Sequence, residues 1–185
     1  MMFKRKKRRP GETGQAAVEF ALAFIVFIPI LFGIIDLGWI TFQKTAFEYG
    51  YMHSSREVKA KDIGDNGSLE TESRVKITGE AVRAPLRTLI EQYSSMIIAD
   101  NLYIGDATAE FYTVIDKEKY TVPSIDGGVE AGISGTRYME LDVLVTYRIY
   151  PLTPIGKAIF GPRWEVEKKL DCTRIVRTQH RYEYR

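Results

Sequence analysis

Only two histidines stand in this chain, His53 and His180, and neither has a Cys, Asp or Glu at the spacing a metal site requires. Ser54-Ser55 and Ser94-Ser95 lack the flanking glycines of a nucleophile elbow, and Gly127-Gly128 lacks the helix and lysine of a phosphate loop. The single cysteine, Cys172, has no partner for a disulfide within the chain; a quiet thiol is the plainer reading and an intermolecular bridge stays open. No catalytic residues, metal ligands or cofactor are expected, and the chain is read as not an enzyme. The ionisable residues that stand out are instead Glu19 and Asp36, because they bracket an apolar run. A carboxylate at the edge of a membrane is costly unless partnered, so a functional role is the default for Glu19. Asp36 is read more plainly, as marking the outer interface beside Trp39, an aromatic-belt residue.

The run between them sets the topology. Phe20 to Ile35 contains no charged or strongly polar residue, and after Asp36 it resumes as far as Ile40. As a helix, Phe20 to Ile40 spans roughly 30 Å, about one hydrocarbon core. A soluble core helix would carry a polar face at helical spacing, and this stretch has none. Pro29 and Gly33 weaken soluble helices but are common in membrane ones. Ahead of the run lie Lys4, Arg5, Lys6, Lys7, Arg8 and Arg9. Basic residues resist translocation, so that side is expected in the cytoplasm and the rest of the chain outside it. The net charge of +2 is concentrated in this leader, which leaves the body slightly acidic and argues against a nucleic-acid partner. A secretory signal peptide fits poorly, since the run exceeds the usual h-region of about 7–15 residues and no small-x-small site follows it.

At the junction stands Gly14-Gln15-Ala16-Ala17-Val18-Glu19-Phe20. This resembles the type IV prepilin processing site in its Tad/Flp form, in which a prepilin peptidase cuts after the glycine. The continuation Ala-Val-Glu-Phe-Ala-Leu through Pro29, then Phe32 to Gly38, is similar to the TadE-like minor pilin or pseudopilin family of the Tad (Flp, type IVb/IVc) pilus system. The resemblance covers residues 11–45, and the C-terminal strand pattern also looks like the corresponding part of that family. It implies cleavage between Gly14 and Gln15, a site comprising Gly14, Gln15, Glu19 and Phe20, and pairing of Glu19 with the α-amine of a neighbouring subunit. Glycine offers the peptidase an unhindered backbone, and Glu19 in the first turn favours the positive end of the helix dipole. Cyclisation of an N-terminal Gln15 would remove that amine. The implied partners are the peptidase, the major pilin and other minor pilins, the inner-membrane assembly platform and the lipid bilayer. The implied location is the cytoplasmic membrane, single-pass, then a pilus or cell surface. An uncleaved membrane-anchored scaffold and a tethered extracytoplasmic binding module are the alternatives.

The elements behind this are expected to form an α+β fold: a long N-terminal transmembrane and stem helix, a second helix and a small antiparallel sheet. The expected division is a leader at 1–14, a transmembrane and stem helix at 15–60 and a head at 61–185. The stem carries an approximate stripe of Phe42, Ala46, Tyr49 and Tyr51. Asp62 to Ser68 reads as a turn, and Leu69 to about Ile98 as a second helix that Gly79 and Pro85 interrupt early. Period two then replaces helical spacing. Thr108 to Ile115 reads as a strand, and from Arg137 to Tyr150 the residues Met139, Leu141, Val143, Val145, Tyr147 and Ile149 fall on one face. Pro151 and a Pro154 turn stop that strand. Trp164 to Thr178 follows as a last strand or strand pair, Asp126-Gly127-Gly128 suits a hairpin connection, and His180 to Arg185 reads as a frayed, solvated end.

Overall fold

Alternation along the longest strand organises the sheet. In the computed structural model, which describes residues 10–116, 122–123 and 129–183, β4 runs Val129–Ile149. Met139, Leu141, Val143, Val145, Tyr147 and Ile149 are all buried on one face, while Glu140, Asp142 and Leu144 are exposed on the other. The basic leader residues Lys4 to Arg9 and the expected Asp126-Gly127-Gly128 turn lie outside the described residues.

β4 is flanked on one side by β2 (Leu102–Asp116) and beyond it β1 (Arg74–Thr78), all antiparallel. β4 also pairs with the short β3 (Val122–Pro123) and with β5 (Trp164–Glu183). β5 runs antiparallel to β4, since Arg148 meets Glu165 (2.9 Å), Asp142 meets Lys169 (3.3 Å) and Thr136 meets Thr178 (3.4 Å) in opposite chain order. The strand continues to Glu183, so the expected fraying from His180 onward is replaced by sheet as far as the described residues reach.

The helices are α1 (Pro10–Glu57), α2 (Ala60–Ile63), α3 (Glu80–Tyr93) and α4 (Pro154–Phe160). An α+β fold with a long apolar N-terminal helix and an antiparallel sheet is what the sequence led one to expect. Two elements differ. Residues 74–78 are a strand rather than the start of the second helix, because Gly79, at φ 78°, turns the chain before α3 begins. The Pro154 turn is a helix, α4, with Thr153 as its N-cap and Pro154 in the first turn, where its missing N–H costs nothing.

The chain clusters into two compact units, one of residues up to Phe42 with Ile149–Trp164, the other of Gln43–Arg148 with the residues from Glu165. In the second unit, α1 and α3 cover the buried sheet face. Phe47 stacks on Tyr147 at 5.1 Å, and Tyr147 Oη donates to Gln43 Oε1. Gln43 Nε2 donates to Met96 O and Ile98 N donates to Tyr147 Oη, so this buried polar cluster is fully paired.

The buried stripe of α1 is Asp36, Ile40, Gln43, Phe47, Gly50 and Ser54, in steps of three and four. The stripe read from the sequence lies on other faces: Phe42 and Tyr49 are exposed, and Ala46 and Tyr51 half-buried. At Gly50 the two helices approach so closely that a Cβ would stand 2.8 Å from Ile90 O and 3.0 Å from Ser94 Cβ. Gly50→Ala is therefore expected to destabilise the chain by about 1–3 kcal/mol through overpacking, despite alanine's better helix propensity. Gly38→Ala, where a Cβ meets nothing within 4 Å, is the control and should be neutral or slightly stabilising. Urea unfolding of the two variants in detergent micelles measures the difference.

Candidate processing and assembly site

Among the described residues, the first half of α1 is largely uncovered. From Gly14 to Ile35 no residue is buried, and Phe20, Leu22, Ile25, Val26 and Ile34 are each more than 60% exposed. An apolar surface of this extent is out of place in water. Among the described residues, α1 is the one helix long and apolar enough to cross a membrane, which makes it a membrane anchor.

At its start, Gln15 Nε2 donates to Glu19 Oε1 at 3.0 Å, one helical turn apart, and Phe20 stacks on Phe24 with ring centroids 5.6 Å apart. A cut between Gly14 and Gln15 would thus generate an α-amine one turn from the Glu19 carboxylate. A Cβ added at Gly14 would meet nothing within 4 Å. Packing among the described residues therefore does not require glycine there. The helix is continuous from Pro10, so the Gly14–Gln15 bond lies in helical backbone.

The far end of the span holds a second constellation. Pro29 leaves the helix unbroken, and Gly33 lets Ile159 of α4 approach, its Cδ1 3.6 Å from where a Cβ would be. Asp36, read from the sequence as marking the outer interface, is fully buried within the fold. Its carboxylate accepts from the backbone N–H of Leu152 (2.5 Å) and Thr153 (3.2 Å) and from the Thr153 hydroxyl. Thr153 Oγ1 in turn accepts from Gly156 N at 2.9 Å, and a Cβ at Gly156 would collide with the Asp36 carboxylate. One turn further, the Trp39 indole N–H donates to Tyr150 O at 3.2 Å. The partners of Asp36 lie more than a hundred residues away in sequence, so no local pattern announces them.

Residues 14–52 match the family model described as TadE-like protein. No curated protein and no solved structure matches the chain. The match starts at Gly14, spans the exposed apolar helix with Glu19, Pro29, Gly33, Asp36 and Trp39, and ends within the stem at Met52. Over Gly14 to Met52 the chain is similar to TadE-like proteins.

Proposed function

We propose that the protein is a minor pilin-like component of a Tad-type pilus, made as a prepilin, cut after Gly14 and active in pilus assembly, adhesion or secretion. The observation that carries this reading is the TadE-like match over residues 14–52, which runs from Gly14 through Glu19 and the exposed apolar stretch of α1. The protein acts as the substrate of a prepilin peptidase and not as an enzyme. Its partners are the major pilin, other minor pilins and the inner-membrane platform. It sits in the cytoplasmic membrane with its N-terminus inside and its sheet outside. After the cut, Glu19 pairs with the amine of Gln15 on a neighbouring subunit, provided Gln15 has not cyclised.

The test is the intact mass and N-terminal sequence of the protein recovered from membranes of a host that makes the matching peptidase. A chain beginning at Gln15 or its cyclised form is expected, with Gly14→Ala retaining the leader. Because a Cβ at position 14 meets no other atom of the chain, that variant should fold as the parent does, and its failure to be cut would report on the peptidase alone. A parent chain that keeps its leader in the presence of active peptidase overturns cleavage. It would leave the second reading, an uncleaved single-span anchor, which the unbroken helix across Gly14 favours.

A further inference from the structure

The segment around α4 follows α1 downwards. Tyr150 O meets Trp39, Leu152 N and Thr153 N meet Asp36, and Ile159 meets Gly33. Each step lies one turn closer to the N-terminal end of α1. Gly161-Pro162 then ends α4, and Trp164 opens β5. With Ile40 at the outer edge of the span, Asp36 and Gly33 lie about 6 and 10 Å below that edge, at 1.5 Å per residue. Helices lying in a membrane interface sink about 5–10 Å.

We propose that residues 152–160 are a second membrane-embedded element, a short dip into the outer leaflet whose occupant is lipid acyl chain. The surface it presents is suited to that. Leu152 is 57% exposed and Ile159 56%, comparable with Ile34 at 63% and Leu37 at 51% on the adjoining span. Ile159 packs at Gly33, so the two apolar surfaces are continuous.

Four backbone donors of the dip are also provided for. Backbone amides cannot enter hydrocarbon unpaired. Prolines at 151, 154 and 162 remove donors from the segment, and Asp36 takes the N–H groups of Leu152 and Thr153. Thr153 takes those of Gly156 and Lys157. This gives the buried carboxylate a purpose within an apolar span. Lys157 is exposed at a depth from which a lysine stem reaches the headgroups. Trp39 and Tyr150 stand above the dip as interfacial aromatics.

The inference rests on α1 spanning the membrane and is independent of cleavage. It is tested with the full chain, Cys172→Ser, reconstituted at low protein-to-lipid ratio in phosphatidylethanolamine–phosphatidylglycerol vesicles containing acyl-chain nitroxide lipid. A bimane is attached in turn at Leu152→Cys, Ile159→Cys, Ile34→Cys in the span and Thr173→Cys on exposed β5. Quenching at positions 152 and 159 is expected to reach at least about half that at position 34, as for a helix sunk into the acyl boundary, with position 173 unquenched. Quenching at 152 and 159 no greater than at 173, while 34 is quenched, overturns the dip. A second copy of the chain covering α4 would give that same result, shielding the probes without quenching them. An unquenched position 34 overturns the span and the dip together.

Discussion

Asp65→Asn is expected to destabilise the full-length chain by about 3–5 kcal/mol at neutral pH, because it leaves a buried guanidinium without its counter-charge. Arg137 is 1% exposed and Asp65 7%. The pair is bidentate, with Nε to Oδ2 at 2.8 Å and Nη2 to Oδ1 at 2.5 Å. Nη1 donates to Ser73 Oγ at 3.0 Å and Thr113 Oγ1 at 2.8 Å, and the guanidinium stands over the Phe111 ring. Thr113 passes the network on to Ser68 O, and Asp65 also accepts from Gly67 N. The loop after α2 is thereby fastened to β2 and β4 by one side chain. Gly67 must be glycine there, since a Cβ would overlap the guanidinium. Arg137 also lines the adjoining cleft, together with Lys61 and Arg177.

The pH dependence of that loss has a definite sign. Burial raises the Asp65 carboxyl, but the hydrogen bonds from Arg137 and Gly67 and the charges of Arg137 and Arg177 outweigh it and hold it below the ordinary value. A depressed carboxylate adds stability above its unfolded value of about 4 and loses it as pH falls through the folded value. The gap between the parent and Asp65→Asn should therefore be full at about pH 7 and should shrink below about pH 4. Urea midpoints of both chains in detergent micelles across that range measure it. Adding Arg137→Met to Asp65→Asn should cost less than the two single changes together, since it removes the stranded charge. A gap that does not change with pH would show that Asp65 acts by shape and not by charge.

What the sequence reveals of this protein follows the range of the forces involved. β4 is legible because one face meets the protein and the other meets water, which writes period two into thirteen consecutive residues, 137–149. The membrane span is legible for the converse reason, having no polar face at all. β1 is too short for alternation to be told from the helical period that follows it: Val75 and Ile77 alternate with Arg74, Lys76 and Thr78, and Gly79 then hands over to α3. The stem stripe misleads because three of its buried positions are Gln43, Gly50 and Ser54. They are selected by a buried hydrogen bond, a close helix crossing and a bond to the preceding turn, and not by hydrophobicity. α4 did carry a local signal, Thr153 before Pro154, but a seven-residue helix has too little periodicity to outweigh two prolines. Arg137 with Asp65, and Asp36 with Thr153, are pairs of distant residues, and nothing local marks one for the other.

Asp36→Ala is expected to release residues 150–160 from α1, raising amide exchange at Leu152, Thr153 and Gly156 by roughly 30- to 1,000-fold, the equivalent of about 2–4 kcal/mol for stranding two backbone donors that a charged acceptor had satisfied. Gly156→Ala should loosen the same segment by the opposite route, by driving a methyl into the carboxylate. The two changes act at one point, so they should not add. With Asp36 truncated the methyl has space, and the coupling energy in a double-mutant cycle should be at least about 1 kcal/mol. Hydrogen exchange by mass spectrometry on the four chains in lipid nanodiscs is the measurement. Additive effects would mean that Asp36 and Gly156 stabilise the segment independently and that the carboxylate does not fill the space the glycine leaves. Strong coupling, with Asp36→Asn retaining more protection than Asp36→Ala, would identify Asp36 as the acceptor that lets residues 150–160 lie against an apolar helix without unpaired amides. A carboxylate inside a membrane span then needs no partner subunit to explain it, and Glu19 is left as the ionisable group of the span available for assembly.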